Sequence, residues 1–332
     1  MAAIDVSVVM PVRNEAAGIE EALDSVLEQE LDVPFEVVVA DGRSTDGTRE
    51  ILARRAAADE RIRVVDNPGR GIPQGLNAAL ATARGRYLVR LDGHATMEPR
   101  YVQGLVYHLR SGRCEAVGGR VEAFGLGSFG KAVAAAHGSR FGIGNASHHY
   151  RTATGIIDHV SFGAYETERV RALGGWDERF ARNEDYELNF RYRADGGRIV
   201  LDPSKVSRWR VRETVSGLAR QYFGYGFWRL RTLVRHPSSL SARWLVPPTL
   251  VLSILVGGAF AWTTAGRVFL AVVLLSYAAF LGVAALGLGR RIGMRFVGRT
   301  VLALAVMHLC WGAGFLASIV ALAARPLSRA SV

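Results

Sequence analysis

Residues 245–265, 268–289 and 300–324 form three apolar runs whose only acidic or basic side chain is His308. Each run is 21 to 25 residues long. At about 1.5 Å of rise per residue, that length crosses a hydrocarbon core of about 30 Å. The chain is therefore expected to end in a membrane. The roughly 200 residues before them have the mixed polarity of a compact α/β domain, whose chemistry is then held at a bilayer surface.

Charge follows the same division. The chain carries a net charge of +11, which by itself could mark a nucleic-acid binder. Residues 1–197, however, hold 24 basic and 28 acidic residues, and residues 198–332 hold 17 basic and 2 acidic. The first part is mildly acidic, so nucleic acid is not an expected partner. Ten of the basic residues fall in 198–243, just before the first apolar run. Polybasic segments in that position meet anionic lipid headgroups, at about 1 kcal/mol per residue. Arg290, Arg291 and Arg295 fill the loop between the second and third runs, against Arg267 alone in the first loop. The positive-inside rule makes that second loop cytoplasmic. The expected protein is therefore a multi-pass protein of the cell membrane, with a cytoplasmic N-terminal domain and a tail bearing Arg325 and Arg329 outside.

Cys114 and Cys310 are the only cysteines, one in each part, which provides no disulfide framework and suits a reducing cytosol. The N-terminus has Asp5 and no basic residue before its short apolar run, and reads as a first strand rather than a signal peptide.

Short β-rich runs alternate with helical patterns. Strands are expected at 6–12, 35–40, 62–65 and 87–91, with helices at 16–29, 46–58 and 74–83 between them. Near-continuous Val and Ile in strands separated by helices indicates a parallel sheet covered on both faces. Beyond residue 115 the pattern is less regular, with a helix expected at 184–194 and a last short strand at 198–201. Residues 208–235 mix aromatic and arginine side chains in RQYFGYGFWRLR, the composition of an interfacial helix, although Gly224 and Gly226 weaken a helical reading. The expected domains are 1–205, a basic aromatic interfacial segment at 206–243, and a membrane region at 244–332.

In a doubly wound sheet, ligands sit outside the carboxyl ends of the strands. Arg13–Glu15, Asp41–Ser44 and Asp92–His94 all fall at such ends and point to one crevice. A lone Asp after a strand often caps the next helix, as Asp46 in DGRSTDGT is placed to do. Two carboxylates ending neighbouring strands, with His94 two residues beyond Asp92, are a stronger signal. Asp-x-His offers an oxygen and an imidazole nitrogen to a divalent cation, a pair that suits Mn²⁺ better than Ca²⁺. The plainer alternative is a turn in which His94 is only exposed. Gly69, Gly71 and Gly75 lack the G-x-G-x-x-G spacing of a dinucleotide site. His148 and His149 read as surface residues, and His308 as a partner in a helix–helix hydrogen bond.

The motifs VSVVMPVRNE, VVVADGRSTDGT, LNAALATARGRYLVRLDGHA, GGWDERF and NEDYELNFR occur in order over residues 5–205. Together they resemble the family 2 glycosyltransferases of GT-A fold. IPQGLNAAL, LDGHA, RQYFGYG and HLCWGAGF further resemble the succinoglycan-type glucosyltransferases of exopolysaccharide synthesis. The resemblance implies a GT-A mixed sheet followed by transmembrane helices. It also implies that Asp41 accepts a hydrogen bond from the donor's base, within a nucleotide pocket of Pro11, Arg13, Glu15 and Ser44. Arg70 is placed in a loop near the diphosphate. Asp92 would touch the ribose and the metal, and His94 would stand where most members have the second Asp of Asp-x-Asp. That departure removes one negative charge from the site and puts the preference between Mn²⁺ and Mg²⁺ in question. Glu184-Asp185 matches the family's Glu-Asp pair, whose Asp is the general base. Neighbours on a helix point about 100° apart, so Asp185 is assigned as the base and Glu184 a supporting part.

The expected function is an inverting, metal-dependent transfer of a hexose from a nucleotide-sugar, UDP-linked, to a polyprenyl-diphosphate-linked oligosaccharide. Two other readings are a polyprenyl-phosphate sugar synthase and, because of His94, a non-catalytic nucleotide-sugar-binding scaffold.

Overall fold

A computed structural model describes residues 3–144 and 146–324, so Arg325 and Arg329 lie outside the described residues. Its first elements alternate: β1 (Val6–Val12), α1 (Ile19–Leu27), β2 (Phe35–Asp41), α2 (Thr48–Ala58), β3 (Ile62–Asp66), α3 (Ile72–Thr82) and β4 (Tyr87–Arg90). Then follow β5 (Ala95–Met97), α4 (Tyr101–Arg110), β6 (Ala116–Phe124), α5 (Ser128–His137), α6 (Arg140–Ile143), β7 (Gly155–Ile156), β8 (Ala164–Glu166), α7 (Thr167–Ala172), α8 (Glu184–Ala194) and β9 (Ile199–Arg210). The chain closes with α9 (Val215–Arg235), α10 (Val246–Ala259), α11 (Thr264–Ile292) and α12 (Val297–Ala323).

The sheet runs β3-β2-β1-β4-β8-β6-β9-β5, with β7 added beside β9. β1 to β4 are parallel, and β8 pairs antiparallel with β4 and β6. Both faces are covered. Val6, Val8, Met10 and Val12 enter one core with Ile19, Leu23 and Tyr101, while Val9, Val38 and Ala40 enter the other with Leu76, Trp176 and Tyr192. Burial on both sides is why these strands read as unbroken apolar runs.

Some expected boundaries move. The first helix begins at Ile19, not residue 16, because the Glu15 carbonyl accepts from the amides of Gly18 and Ile19 in a preceding turn. Asp46 lies ahead of α2, where its carboxylate accepts from Thr48 and from the Ala16 amide, joining two loops. The strand expected at 198–201 extends to Arg210, pairing with β7 at Val200–Leu201 and with β5 at Ser207–Trp209. Pro203 falls between the stretches paired with β7 and β5.

By internal contacts the chain divides into two compact units, residues 1–123 with 146–210, and residues 124–145 with 211–332. The segment 124–145, which the sequence pattern assigned to 1–205, thus groups with the C-terminal helices, and so does α9. Among the described residues, three helical segments are long and apolar enough to cross a membrane: Ala242–Ala259, Thr264–Ile292 and Met294–Ala323. The first ends six residues before the expected 265. Thr263 caps the next helix by accepting from the Gly266 amide at 2.9 Å. A Cβ on Gly266 would lie 2.0 Å from the Phe260 carbonyl oxygen, so the turn closes only around glycine.

Gly226 does not interrupt α9. A Cβ there would meet the Trp311 carbonyl oxygen at 1.9 Å, and one on Gly314 would meet that of Phe223 at 2.0 Å. Pairing 223 with 314 and 226 with 311 sets α9 antiparallel to α12, at a separation only small residues permit. His308, near the middle of α12, bonds the Phe141 carbonyl through Nε2 at 2.7 Å and faces the Tyr277 hydroxyl through Nδ1 at 3.2 Å.

Candidate active site

The carboxyl ends of β1, β2 and β3 lead into loops that lock onto one another. Asp41, buried at the end of β2, accepts from the Ser44 hydroxyl at 2.6 Å and lies 3.4 Å from Arg49 Nε. Ser44 Oγ accepts in turn from the Asn14 amide at 2.9 Å, and Asn14 Oδ1 accepts from the Thr45 amide at 2.8 Å. Gly42 is packed between the Arg13 side chain and the Arg70 carbonyl, at 3.1 and 3.3 Å from where a Cβ would sit. Pro11 lines the same region, 3.2 Å from the equivalent position on Gly75. The expected nucleotide-pocket residues are therefore adjacent.

Glu15 joins this group to the next strand end. Its amide donates to Thr48 Oγ1 at 2.9 Å, and its Oε1 lies 3.0 Å from His94 Nδ1. The carboxylate favours the tautomer with hydrogen on Nδ1, which places the neutral ring's lone pair on Nε2. His94 is thus more than an exposed turn residue. Two positions back, Asp92 accepts from Arg90 Nε at 3.0 Å, and Arg90 Nη2 donates to Glu184 Oε1 at 2.9 Å.

Arg90 and Glu184 are both buried. Asp92, Glu184 and Asp185 hold the guanidinium above its ordinary pKa despite its burial. Burial pushes the Glu184 carboxyl up to about 7; Arg90 opposes the shift, while Asp185 and Asp92 add to it. Asp185 is different: its side chain is 24% exposed, against 6% for Glu184. Its Oδ1 accepts from the Tyr186 amide at 2.7 Å, and its Oδ2 lies 3.6 Å from His159 Nε2. Both acids sit in the first turn of α8, where the helix dipole favours negative charge.

Contacts thus run from Asp41 through Ser44, Asn14 and Glu15 to His94, and from Asp92 through Arg90 to Glu184. Arg90, which ties the second of these together, was not among the expected site residues. Asn14, Arg43, Arg70 and Asn183 are the non-glycine residues with positive φ, between 55° and 63°, among the described residues. Three follow β1, β2 and β3, and the fourth directly precedes Glu184. His148 is buried rather than on the surface, with its ring 5.0 Å from that of His159. The His149 Nδ1 lies 3.0 Å from the Val121 carbonyl, and burial pushes this imidazole down to about 4.

Residues 7–166 match the family described as Glycosyl transferase family 2. Succinoglycan biosynthesis protein ExoA of Rhizobium meliloti is 33% identical over 314 residues, covering 93% of each chain. The chain belongs to glycosyltransferase family 2. It is a glycosyltransferase of GT-A fold, and the scaffold alternative falls away. Among other relatives, a dolichyl N-acetyl-alpha-D-glucosaminyl phosphate glucuronosyltransferase of Methanococcus voltae is 22% identical, over 76% of this chain and 82% of its own. The Pyrobaculum calidifontis mannosyltransferase PcManGT, solved with GDP-Man and Mn²⁺, superposes with a TM-score of 0.59 at 20% identity, covering 95% of this chain and 86% of its own.

Among the described residues, no three His, Cys, Asp or Glu side chains are grouped to hold a metal ion by themselves. Asp92 and His94 nevertheless suit a cation that takes its remaining ligands from a substrate diphosphate, the usual habit of Mg²⁺. The carboxylate of Glu15 on Nδ1 is the support a ligating imidazole commonly has.

Proposed function

We propose that this glycosyltransferase inverts configuration as it moves a hexose from a UDP-linked donor to a polyprenyl-diphosphate-linked oligosaccharide at the cytoplasmic face of a membrane. The observation that carries the reading is the contrast between the two adjacent acids of α8. Glu184 is buried on Arg90, whereas the Asp185 carboxylate is partly exposed.

In this mechanism Asp41 and Ser44, with Pro11, Arg13 and Glu15 beside them, bind the nucleotide, and Arg70 borders the diphosphate. Asp185 takes the proton of the acceptor hydroxyl as its oxygen attacks the anomeric carbon from the face opposite the donor. The bond from that carbon to the diphosphate oxygen breaks, and the nucleoside diphosphate leaves with the electron pair. What a divalent cation on Asp92 and His94 supplies is neutralisation of the charge developing on the leaving group. Arg90 fixes Asp92 and Glu184 relative to each other.

Support for a lipid-linked acceptor comes from the three apolar helices, from the basic residues of α9, and from the Methanococcus relative, whose name specifies a dolichyl-linked sugar. Arg290, Arg291 and Arg295 support the cytoplasmic placement. The test incubates full-length enzyme with radiolabelled UDP-glucose, UDP-galactose or GDP-mannose and a membrane lipid extract. A lipid-extractable product with a new sugar–sugar bond, formed from a UDP-sugar, is expected. Sugar attached directly to the lipid phosphate would make the enzyme a polyprenyl-phosphate sugar synthase, and transfer from GDP-mannose alone would overturn the donor.

A further inference from the structure

His159 precedes β8, far in sequence from the acids of α8, yet its ring is enclosed beside one of them. The His148 ring lies 5.0 Å away, edge to face, and the Tyr186 ring 5.7 Å away. Nε2 is 3.6 Å from Asp185 Oδ2 and Nδ1 is 3.1 Å from Asn189 Nδ2.

Asn189 decides where the imidazole proton sits. This fully buried side chain directs Nδ2 at the Asp185 carbonyl, 2.8 Å away, and at the Val160 carbonyl, 2.9 Å away. Its Oδ1 accepts from the Tyr165 hydroxyl at 3.3 Å. Rotating the amide by half a turn would set Oδ1 against two carbonyl oxygens, so the NH₂ orientation is fixed. His159 Nδ1 faces the Asn189 amide nitrogen, which cannot accept a hydrogen bond, so the ring's hydrogen is on Nε2, 3.5 Å from the Ser161 hydroxyl and 3.6 Å from Asp185 Oδ2. At 3.6 Å this contact is longer than a hydrogen bond, as catalytic contacts often are before substrate binds.

We propose that His159 is a positioning residue for the general base, with its Nε2–H, aimed by Asn189, holding Oδ2 of Asp185 while the Tyr186 amide holds Oδ1. The proposal rests on Asp185 being the base. Two donors clamp the carboxylate plane, and the second lone pair of Oδ2 remains to accept the acceptor's proton. His159 keeps its own proton throughout, so it acts through Asp185 and not on the sugar.

The test compares His159→Gln, which sets an amide N–H near the Nε2 position, with His159→Asn, whose shorter side chain does not reach, and His159→Phe, which keeps a ring without a donor. Full-length enzyme is assayed with the UDP-glucose, UDP-galactose and GDP-mannose panel and lipid extract. Gln should stay within about 3-fold of the parent in kcat. Asn and Phe should lose on the order of 10- to 100-fold in kcat, as a misplaced catalytic group does, with donor KM unchanged. Phe activity equal to the parent, equal losses in Gln and Asn, or losses confined to KM would overturn the role of His159. If Phe does not fold, the contrast between Gln and Asn decides. Asp185→Asn is assayed alongside: its full activity, or a parent enzyme silent on the whole panel, overturns the functional reading itself, whereas an inactive Asp185→Asn beside a fully active His159→Phe overturns only the positioning role.

Discussion

Arg90 and Glu184, 94 positions apart in sequence, form a buried ion pair at 2.9 Å. The same guanidinium holds Asp92, so the strand end assigned to the diphosphate and the helix assigned to the base share one side chain. Removing one partner of such a pair leaves a buried charge uncompensated, at about 3–5 kcal/mol.

The division of labour between the two acids is open to direct assay. Asp185→Asn should bind UDP nearly as the parent does and lose on the order of 10² to 10⁴ in transfer rate, the span of general-base catalysis. Glu184→Gln should instead alter stability. Because the folded carboxyl is pushed up to about 7, the stability Glu184 contributes is complete below its unfolded value of about 4.3 and declines as pH rises through 7. Melting curves from pH 4 to 8 should show that decline in the parent and not in Glu184→Gln. An inactive Glu184→Gln beside an active Asp185→Asn would reverse the roles.

Replacing His94 tests the cation ligand. His94→Ala should weaken Mn²⁺ binding, followed by titration calorimetry in the presence of UDP. His94→Asp, by restoring a second negative charge, should bind Mg²⁺ more tightly than the parent does. The same metal response in all three proteins would remove His94 from the site.

Glu36 offers a stability prediction of opposite sign. It is buried at the start of β2, where Ser7 Oγ and the Arg84 amide donate to Oε1 at 2.7 Å each, and Arg84 Nε donates to Oε2 at 2.8 Å. Burial alone would raise its pKa, but these bonds and Arg63 outweigh it and hold the carboxyl below its usual range. Its contribution is complete above the unfolded value of about 4.3 and lost as pH falls through the lower folded value. Glu36→Gln should cost about 3 kcal/mol at pH 7 and flatten the acid limb of the stability curve. Chemical denaturation at pH 3 and pH 7 measures both.

Two glycines in the helical unit should respond oppositely to alanine. Gly226→Ala drives a methyl into the Trp311 carbonyl and should cost about 1–3 kcal/mol. A Cβ on Gly282 meets nothing within 4 Å, so Gly282→Ala should be neutral or slightly stabilising. Thermal unfolding in detergent separates them, and equal melting temperatures would disprove the close approach of α9 and α12.

β1 to β4 were legible to within a residue because burial on both faces writes itself as unbroken Val and Ile. The second half of the sheet was not, since β5 to β9 are short or pair over long sequence distances and Pro203 disguises the middle of β9. Asp41, Asp92, Glu184 and Asp185 stood out through motifs. His159 did not, because a positioning contact depends on which loop folds over α8, and no periodicity records that. Gly226 was misleading for a similar reason: it looks like a helix breaker until α12 is in place. The segment 124–145 carries no local sign that it belongs with the helical unit.

The positive φ angles of Asn14, Arg43, Arg70 and Asn183 bear on how the enzyme should fail when warmed. Each such residue stores on the order of 1 kcal/mol that the surrounding hydrogen bonds must contain. The loops carrying the proposed nucleotide-binding residues and the turn before Glu184 are thus the parts with most to gain by letting go. Heat inactivation should accordingly set in several degrees below the melting of the sheet, and reverse on cooling, with UDP delaying it by holding those loops closed.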